Sequence, residues 1–160
     1  MPKTKINGEL GFLLNKGTQA LHKETNRKFN ASNIDITFEQ GTILFFLSHC
    51  SAKSQNEIAE KTYKDKVSIK KLIDNLEKRG LVYRSSDEKD KRVKNVHLTE
   101  KGEALIPKLK KISQEALNVG FSSVSSKNLE VFKSVLSEIV KNFTGEDLLK
   151  FIKTNKIRWK

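Results

Sequence analysis

With Cys50 as its single cysteine in 160 residues, the chain can form no intrachain disulfide, and a reducing cytoplasm is the natural setting for such a composition. Long apolar runs are missing as well. The greasiest stretch, ILFFL at 43–47, is far too short to cross a bilayer, and MPKTKINGEL holds no apolar segment of signal-peptide length. No glycine-rich phosphate loop, Gly-x-Ser-x-Gly turn or Cys/His/Asn set is present, so no catalytic residue is assigned and an enzyme is not expected. His22, His49 and His97 are scattered without metal-ligand spacing, and no metal or other cofactor is expected. Repeats, low-complexity tracts and linkers are also lacking, which leaves one ordinary domain whose 36% apolar residues are enough for a core.

Acidic residues are scarce relative to basic ones. Lys and Arg number 31 against 19 Asp and Glu, a formal charge of +12, which favours a polyanionic partner such as DNA, RNA or anionic lipid. A lysine-rich solvated surface is the alternative reading of charge alone.

The apolar pattern is mostly helical. Ile6, Leu10, Leu13, Leu14, Gly17, Leu21 and Phe29 recur with a period near 3.6, predicting one long amphipathic helix over 6–29. Thr37 and Gln40 can form a capping box for a buried second helix, FEQGTILFFLSHC, ending at Cys50. Ser54 and Glu57 repeat that spacing ahead of a short helix fading near Tyr63. Asp65 then caps KVSIKKLIDNLEKR, and Gly80 stands where a left-handed C-cap is wanted. LVYRSS and VKNVHL flank the charged turn DEKDKR and predict a β-hairpin. Helix resumes at Thr99, with Pro107 inside a stripe of Leu105, Ile106, Leu109, Ile112, Ala116 and Leu117. Ser125 or Ser126 opens a last long helix lined by Leu129, Phe132, Leu136, Ile139, Val140 and Phe143. From Leu148 the tail is basic and free of acids.

Two short helices followed by a basic hairpin make a helix-turn-helix with a wing, a shape that grips a nucleic-acid duplex. With Ile69, Leu72, Ile73 and Leu76 turned inward, the 100° step places Val67, Lys71, Asp74 and Lys78 on the opposite face, flanked by Ser68, Lys70 and Asn75. Lys66, Val67, Ser68, Lys70 and Lys71 then lead into the major groove. There Val67 can touch a thymine methyl and the lysines can reach guanine acceptors or phosphate. Ser54, Gln55 and Asn56 would meet the duplex backbone. At the hairpin tip Lys89, Lys91 and Arg92 suit the negative minor groove, and Asp90 is placed to hold the arginine fork in one rotamer. The bland alternatives are capping for Ser54, a solvated face for the lysines and a weak surface ion pair for Asp90 and Arg92.

The run 54–102, with LIDNLEKRGLVYR, the Asp-x-Arg of Asp90 and Arg92, and HLTEKGEALIPKL beyond it, resembles the MarR family of winged helix-turn-helix bacterial transcriptional regulators. The likeness covers nearly the whole chain. It implies a mostly α fold with a small β-hairpin wing. Residues 37–102 would form the DNA-binding region, and 1–36 with 103–160 the helical dimerisation region. It further implies a homodimer on a pseudo-palindromic operator, usually a repressor, with Arg92 as the minor-groove contact supported by Asp90, and modulation by a small ligand or by oxidation. Lys91 departs from the second arginine of many relatives, and the tail after Phe143 is longer than the family minimum.

Phe12, Phe45, Phe46 and His49 are the expected contributors to a pocket for a small aromatic or anionic effector, with plain core as the alternative. Cys50 is read as a buried inert thiol. The rival functions are a non-specific basic or architectural nucleic-acid-binding protein and a membrane-surface or protein-interaction module using the tail 148–160.

Overall fold

The computed structural model describes residues 8–50, 52–147, 149 and 150. Its elements follow in the order α1 (Gly8–Ala31), α2 (Phe38–Leu47), β1 (Lys53–Ser54), α3 (Gln55–Lys61), α4 (Lys66–Lys78), β2 (Val82–Ser86), β3 (Lys94–Leu98), α5 (Glu100–Gly120) and α6 (Ser126–Thr144). The strands form one antiparallel sheet in the order β1, β3, β2. This is a mostly helical winged helix-turn-helix fold.

Local chemistry starts most of these helices where the sequence predicts. Thr37 and Ser54 each accept from the backbone N–H three residues on, while Gln40 and Glu57 reach back to the cap backbone. Each such box satisfies two orphan donors, and its cap side chain is worth about 1 kcal/mol. Asp65 and Ser125 cap α4 and α6 in the same way, without the reciprocal arm. Thr99 Oγ1 accepts from Gly102 N at 3.0 Å ahead of α5. Gly80, at φ 68°, supplies the left-handed residue after α4.

The chain divides into two compact units between Leu117 and Asn118, and the core is continuous through the first. Ile43, Leu44 and Leu47 of α2 join Ile58 of α3, Ile69, Ile73 and Leu76 of α4, and Val82 and Val96 of the sheet, all buried. Phe29 from α1 and Ile106, Leu109 and Ile112 from α5 complete it. The buried face of α4 is therefore the one its periodicity predicts. In the second unit, α6 has no buried residue, and Phe121 contacts Phe132 with ring centroids 6.0 Å apart.

Several expectations change. The second helix stops at Leu47 rather than Cys50, because the backbone tightens there: His49 N and Cys50 N donate only three residues back, to the Phe46 and Leu47 carbonyls at 3.2 Å, while Ser48 Oγ and His49 Nδ1 lie 2.7 and 2.8 Å from the Phe45 carbonyl. Cys50, past the helix, is half-buried rather than buried. The hairpin gains a third strand, β1, which pairs Lys53 with Val96 and Ser54 with Asn95. Two residues are too short to show alternation. The first helix begins at Gly8 among the described residues and continues to Ala31, while Ile6 and almost all of the tail 148–160 lie outside them. Its stripe buries Phe29 but leaves Leu10 and Leu13 exposed within the chain.

Gly102 was not anticipated. A Cβ there would stand 2.2 Å from the Leu81 carbonyl oxygen and 3.2 Å from Leu98 Cδ2. The bare α-carbon lets α5 press against the start of β2, and Thr99 N donates to that same Leu81 carbonyl at 3.1 Å.

Candidate nucleic-acid interface

The outer face of α4 is basic. Lys66, Val67, Lys70, Lys71 and Asn75 are exposed, and Ser68 is half-buried beside its cap. Asp65 holds the start of this helix by accepting from Ser68 N at 2.8 Å and Ser68 Oγ at 2.6 Å. Those hydrogen bonds keep the Asp65 carboxyl below its usual range, the side-chain bond contributing most. Among the described residues no ion pair engages Lys66, Lys70, Lys71, Lys89 or Lys91. Their charge is available to an external anion.

The acids of α4 are occupied by one arginine. Arg84, on β2, donates to Asp74 and to Glu77 through its two terminal nitrogens, and its Nε donates to Gln55 Oε1 at 3.1 Å. Its backbone N–H donates to Glu77 Oε1 at 3.1 Å. The guanidinium thus ties α3, α4 and the sheet together and neutralises two carboxylates beside the reading face. Asp74, expected on the open side of the helix, is half-buried in this clamp. The helical angle alone cannot show that a strand residue ten positions on will draw it aside. Gln55 is half-buried with its Oε1 occupied, Ser54 is the cap of α3, and Asn56 is exposed.

The wing tip spans 87–93. Asp87 organises it, accepting from Lys89 N at 2.9 Å, Asp90 N at 3.2 Å and Asn95 Nδ2 at 2.9 Å, while its own N–H donates to the Val93 carbonyl. The Asn95 bond, followed by the two backbone bonds, lowers the Asp87 pKa. Arg92 then projects with its side chain 93% exposed, and Asp90 Oδ1 accepts from both Arg92 Nε at 3.2 Å and Arg92 N at 3.0 Å. The structure therefore brings Asp90 and Arg92 together at the tip, with Lys89 and Lys91 exposed beside them. Asp87 and Arg84 were missed because their roles depend on chain closure. The Asp-x-Lys spacing of 87–89 was the available local signal for Asp87.

On the other face of the sheet, paired residues Tyr83 and His97 stack with centroids 4.8 Å apart, and His97 Nε2 lies 2.8 Å from Ser85 Oγ. They line a cleft of about 780 Å³ together with Leu47 at the end of α2, His49 and Cys50 just after it, and Ile106 and Lys110 of α5. Of the four expected pocket residues only His49 lines it. Phe45 and Phe46 pack on the core, with Lys110 Nζ 6.0 Å from the Phe45 ring centroid. Phe12 is exposed on α1. The Cys50 thiol donates to the Phe46 carbonyl at 3.2 Å, and burial raises its pKa. Among the described residues no group of three or more His, Cys, Asp and Glu side chains could hold a metal ion, and no helix is long and apolar enough to cross a membrane.

A capped helix with a free basic face and a wing carrying an oriented arginine define the winged helix-turn-helix class of DNA-binding regulators. Residues 34–93 match the MarR family model. The chain is 27% identical over 134 residues to the HTH-type transcriptional regulator YybA of Bacillus subtilis, covering 84% of this chain and 85% of that one. Among solved structures, a MarR transcriptional regulator from Methanosarcina mazei superposes with TM-score 0.78 at 26% identity, over 85% of this chain and 96% of that one. A mutant of Escherichia coli MarR complexed with operator DNA gives 0.75 at 20% identity, over 86% and 99%. BpsR of Bordetella bronchiseptica, whose DNA binding is regulated by 6-hydroxynicotinic acid, gives 0.74 at 22% identity, over 85% and 96%. Over most of its length this chain is similar in sequence to MarR-type transcriptional regulators, and it shares their winged helix-turn-helix fold.

Proposed function

We propose that the protein acts in the cytoplasm, on the nucleoid, as a homodimeric repressor of a pseudo-palindromic operator. Each α4 enters a major groove with Lys66, Val67, Ser68, Lys70, Lys71 and Asn75, and each wing sends Arg92 into the adjacent minor groove with Lys89 and Lys91 on the flanking phosphates. Ser54, Gln55 and Asn56 approach the backbone. The observation that carries this reading is the unpaired basic face of α4 beside an Arg92 already oriented by Asp90. A neighbouring fold is complexed with operator DNA, which supports it.

Residues 37–102 form the reading head in this proposal, and 1–36 with 103–160 the dimer module. Apolar side chains without cover support a second copy as partner: Leu10, Phe12 and Leu13 on α1, and Val131, Phe132, Val135 and Phe143 on α6. Twofold symmetry sets the two reading helices about 34 Å apart, one turn of duplex.

Selection from a random duplex pool is expected to return an imperfect palindrome with half-sites at that spacing. Binding should fall steeply with salt, and replacing both Lys70 and Lys71 by Ala should flatten the log–log salt slope by about 2 per head. A pool returning no enriched motif would favour the non-specific architectural alternative.

The cleft supports a small planar anion as effector. Its ring would lie on the Tyr83 and His97 pair and its charge would meet the Lys110 ammonium. A neighbour of the same fold is regulated by a hydroxylated aromatic acid. Phenolic and other lipophilic anions at a hundredfold excess over Kd should raise Tm by about 5–10 °C. No shift with any of them would count against the cleft.

A further inference from the structure

The turn between α3 and α4 holds an aromatic residue in a backbone conformation that aromatic residues avoid. Tyr63 has φ 53°. It closes α3 in a left-handed cap, with Tyr63 N donating to the Glu60 carbonyl at 3.2 Å and Lys64 N to the Ala59 carbonyl at 3.0 Å. This is the position where glycine or asparagine is usual, since a Cβ there crowds the following carbonyl.

Packing does not compensate for that cost. Tyr63 is 68% exposed, and its phenol has no hydrogen-bond partner among the described residues. Its neighbours are held instead: Thr62 Oγ1 donates to the Ile58 carbonyl at 2.6 Å, and Lys64 pairs with Glu39. The cap uses the left-handed backbone but not the phenol, and an exposed ring kept at such a position points to a role outside the chain.

Its location defines that role. Tyr63 lies two residues before the α4 cap Asp65, so its Cα is within about 11 Å of that of Lys66 by chain length alone. Val67, 64% exposed, stands in the first turn of α4. An exposed ring on the cap that precedes α4 ends in a neutral hydroxyl able to donate to an anionic oxygen.

We infer that Tyr63 is a positioning residue for duplex binding: its phenol donates to a backbone phosphate at the edge of the groove that α4 enters. The inference rests on the proposed duplex-binding role of α4. As a neutral phosphate contact it adds affinity without reading sequence and without releasing a counterion.

The test compares the wild type, Tyr63→Phe, Tyr63→Asn and the Lys70→Ala/Lys71→Ala pair on the selected operator and on scrambled duplex. Tyr63→Phe is expected to weaken both by about 3- to 10-fold, as for one solvent-exposed hydrogen bond of ordinary net strength, with the salt slope unchanged. Tyr63→Asn should bind as weakly while its Tm stays at or above the wild-type value, because asparagine tolerates the left-handed region. Wild-type affinity in Tyr63→Phe, a loss confined to the operator, or a lowered Tm in Tyr63→Asn would overturn the inference alone. A wild type that ignores duplex, or a lysine pair without effect, would overturn the duplex-binding reading and this inference with it.

Discussion

Arg92→Ala is expected to lower operator affinity by about 1–3 kcal/mol, roughly 5- to 150-fold, with no change in Tm. The two halves of that outcome come from one geometry. The Arg92 side chain is 93% exposed and its only described partner is Asp90, two residues away. Such a pair contributes about 0–1 kcal/mol to folding, so nothing in the wing collapses when it is removed. What is lost is a planar cation already turned outward, which gains most in the narrow, electronegative groove. Arg92→Lys keeps the charge but not the fork and should recover only part of the affinity. Asp90→Ala should act more weakly in the same direction, because it frees the arginine's rotamers without removing the arginine. Titration of labelled operator with each variant, alongside thermal melts, checks all three. An Arg92→Ala protein with unaltered affinity and Tm would remove the wing from the interface.

Gly102→Ala is expected to be the most destabilising single-methyl change in the reading head. The added Cβ meets the Leu81 carbonyl oxygen at 2.2 Å, far inside contact distance, and that oxygen belongs to backbone that cannot rotate away. Either α5 withdraws or β2 shifts, and the Thr99 to Leu81 hydrogen bond is disturbed. Overpacking of this kind costs about 1–3 kcal/mol or somewhat more, a Tm loss of roughly 2–12 °C for a chain of this size. Gly17→Ala is the control: it is also a glycine within a helix, its Cβ would meet nothing within 4 Å, and alanine there should stabilise by about 0.5–1 kcal/mol. Equal melting shifts for the two variants would mean that the close approach at Gly102 has no energetic consequence.

The caps show what can be read locally. Thr37 with Gln40 and Ser54 with Glu57 are partners three residues apart, and their geometry follows from the first turn of any helix. The inward face of α4 is equally local, because Ile69, Ile73 and Leu76 share one side at 100° per residue. Asp90 and Arg92 belong to the same class, since two residues of a tight tip cannot avoid each other. Arg84 is different. Its partners Gln55, Asp74 and Glu77 lie 29, 10 and 7 positions back, and no spacing rule connects them.

From the order of residues alone came the helix starts, the winged helix-turn-helix succession, the buried side of α4 and the basic character of its outer side. Each depends on interactions spanning a few positions, which backbone geometry determines before the chain closes. Tertiary structure alone decided that Asp74 and Glu77 are neutralised by Arg84, that β1 adds a third strand, and that Gly102 lies against Leu81. It also decided that the cleft takes its walls from Tyr83, His97 and Lys110 rather than from Phe12, Phe45 and Phe46. Those outcomes depend on which distant segments meet, and the meeting is set by burial of the shared core, a sum over many side chains that no local spacing encodes.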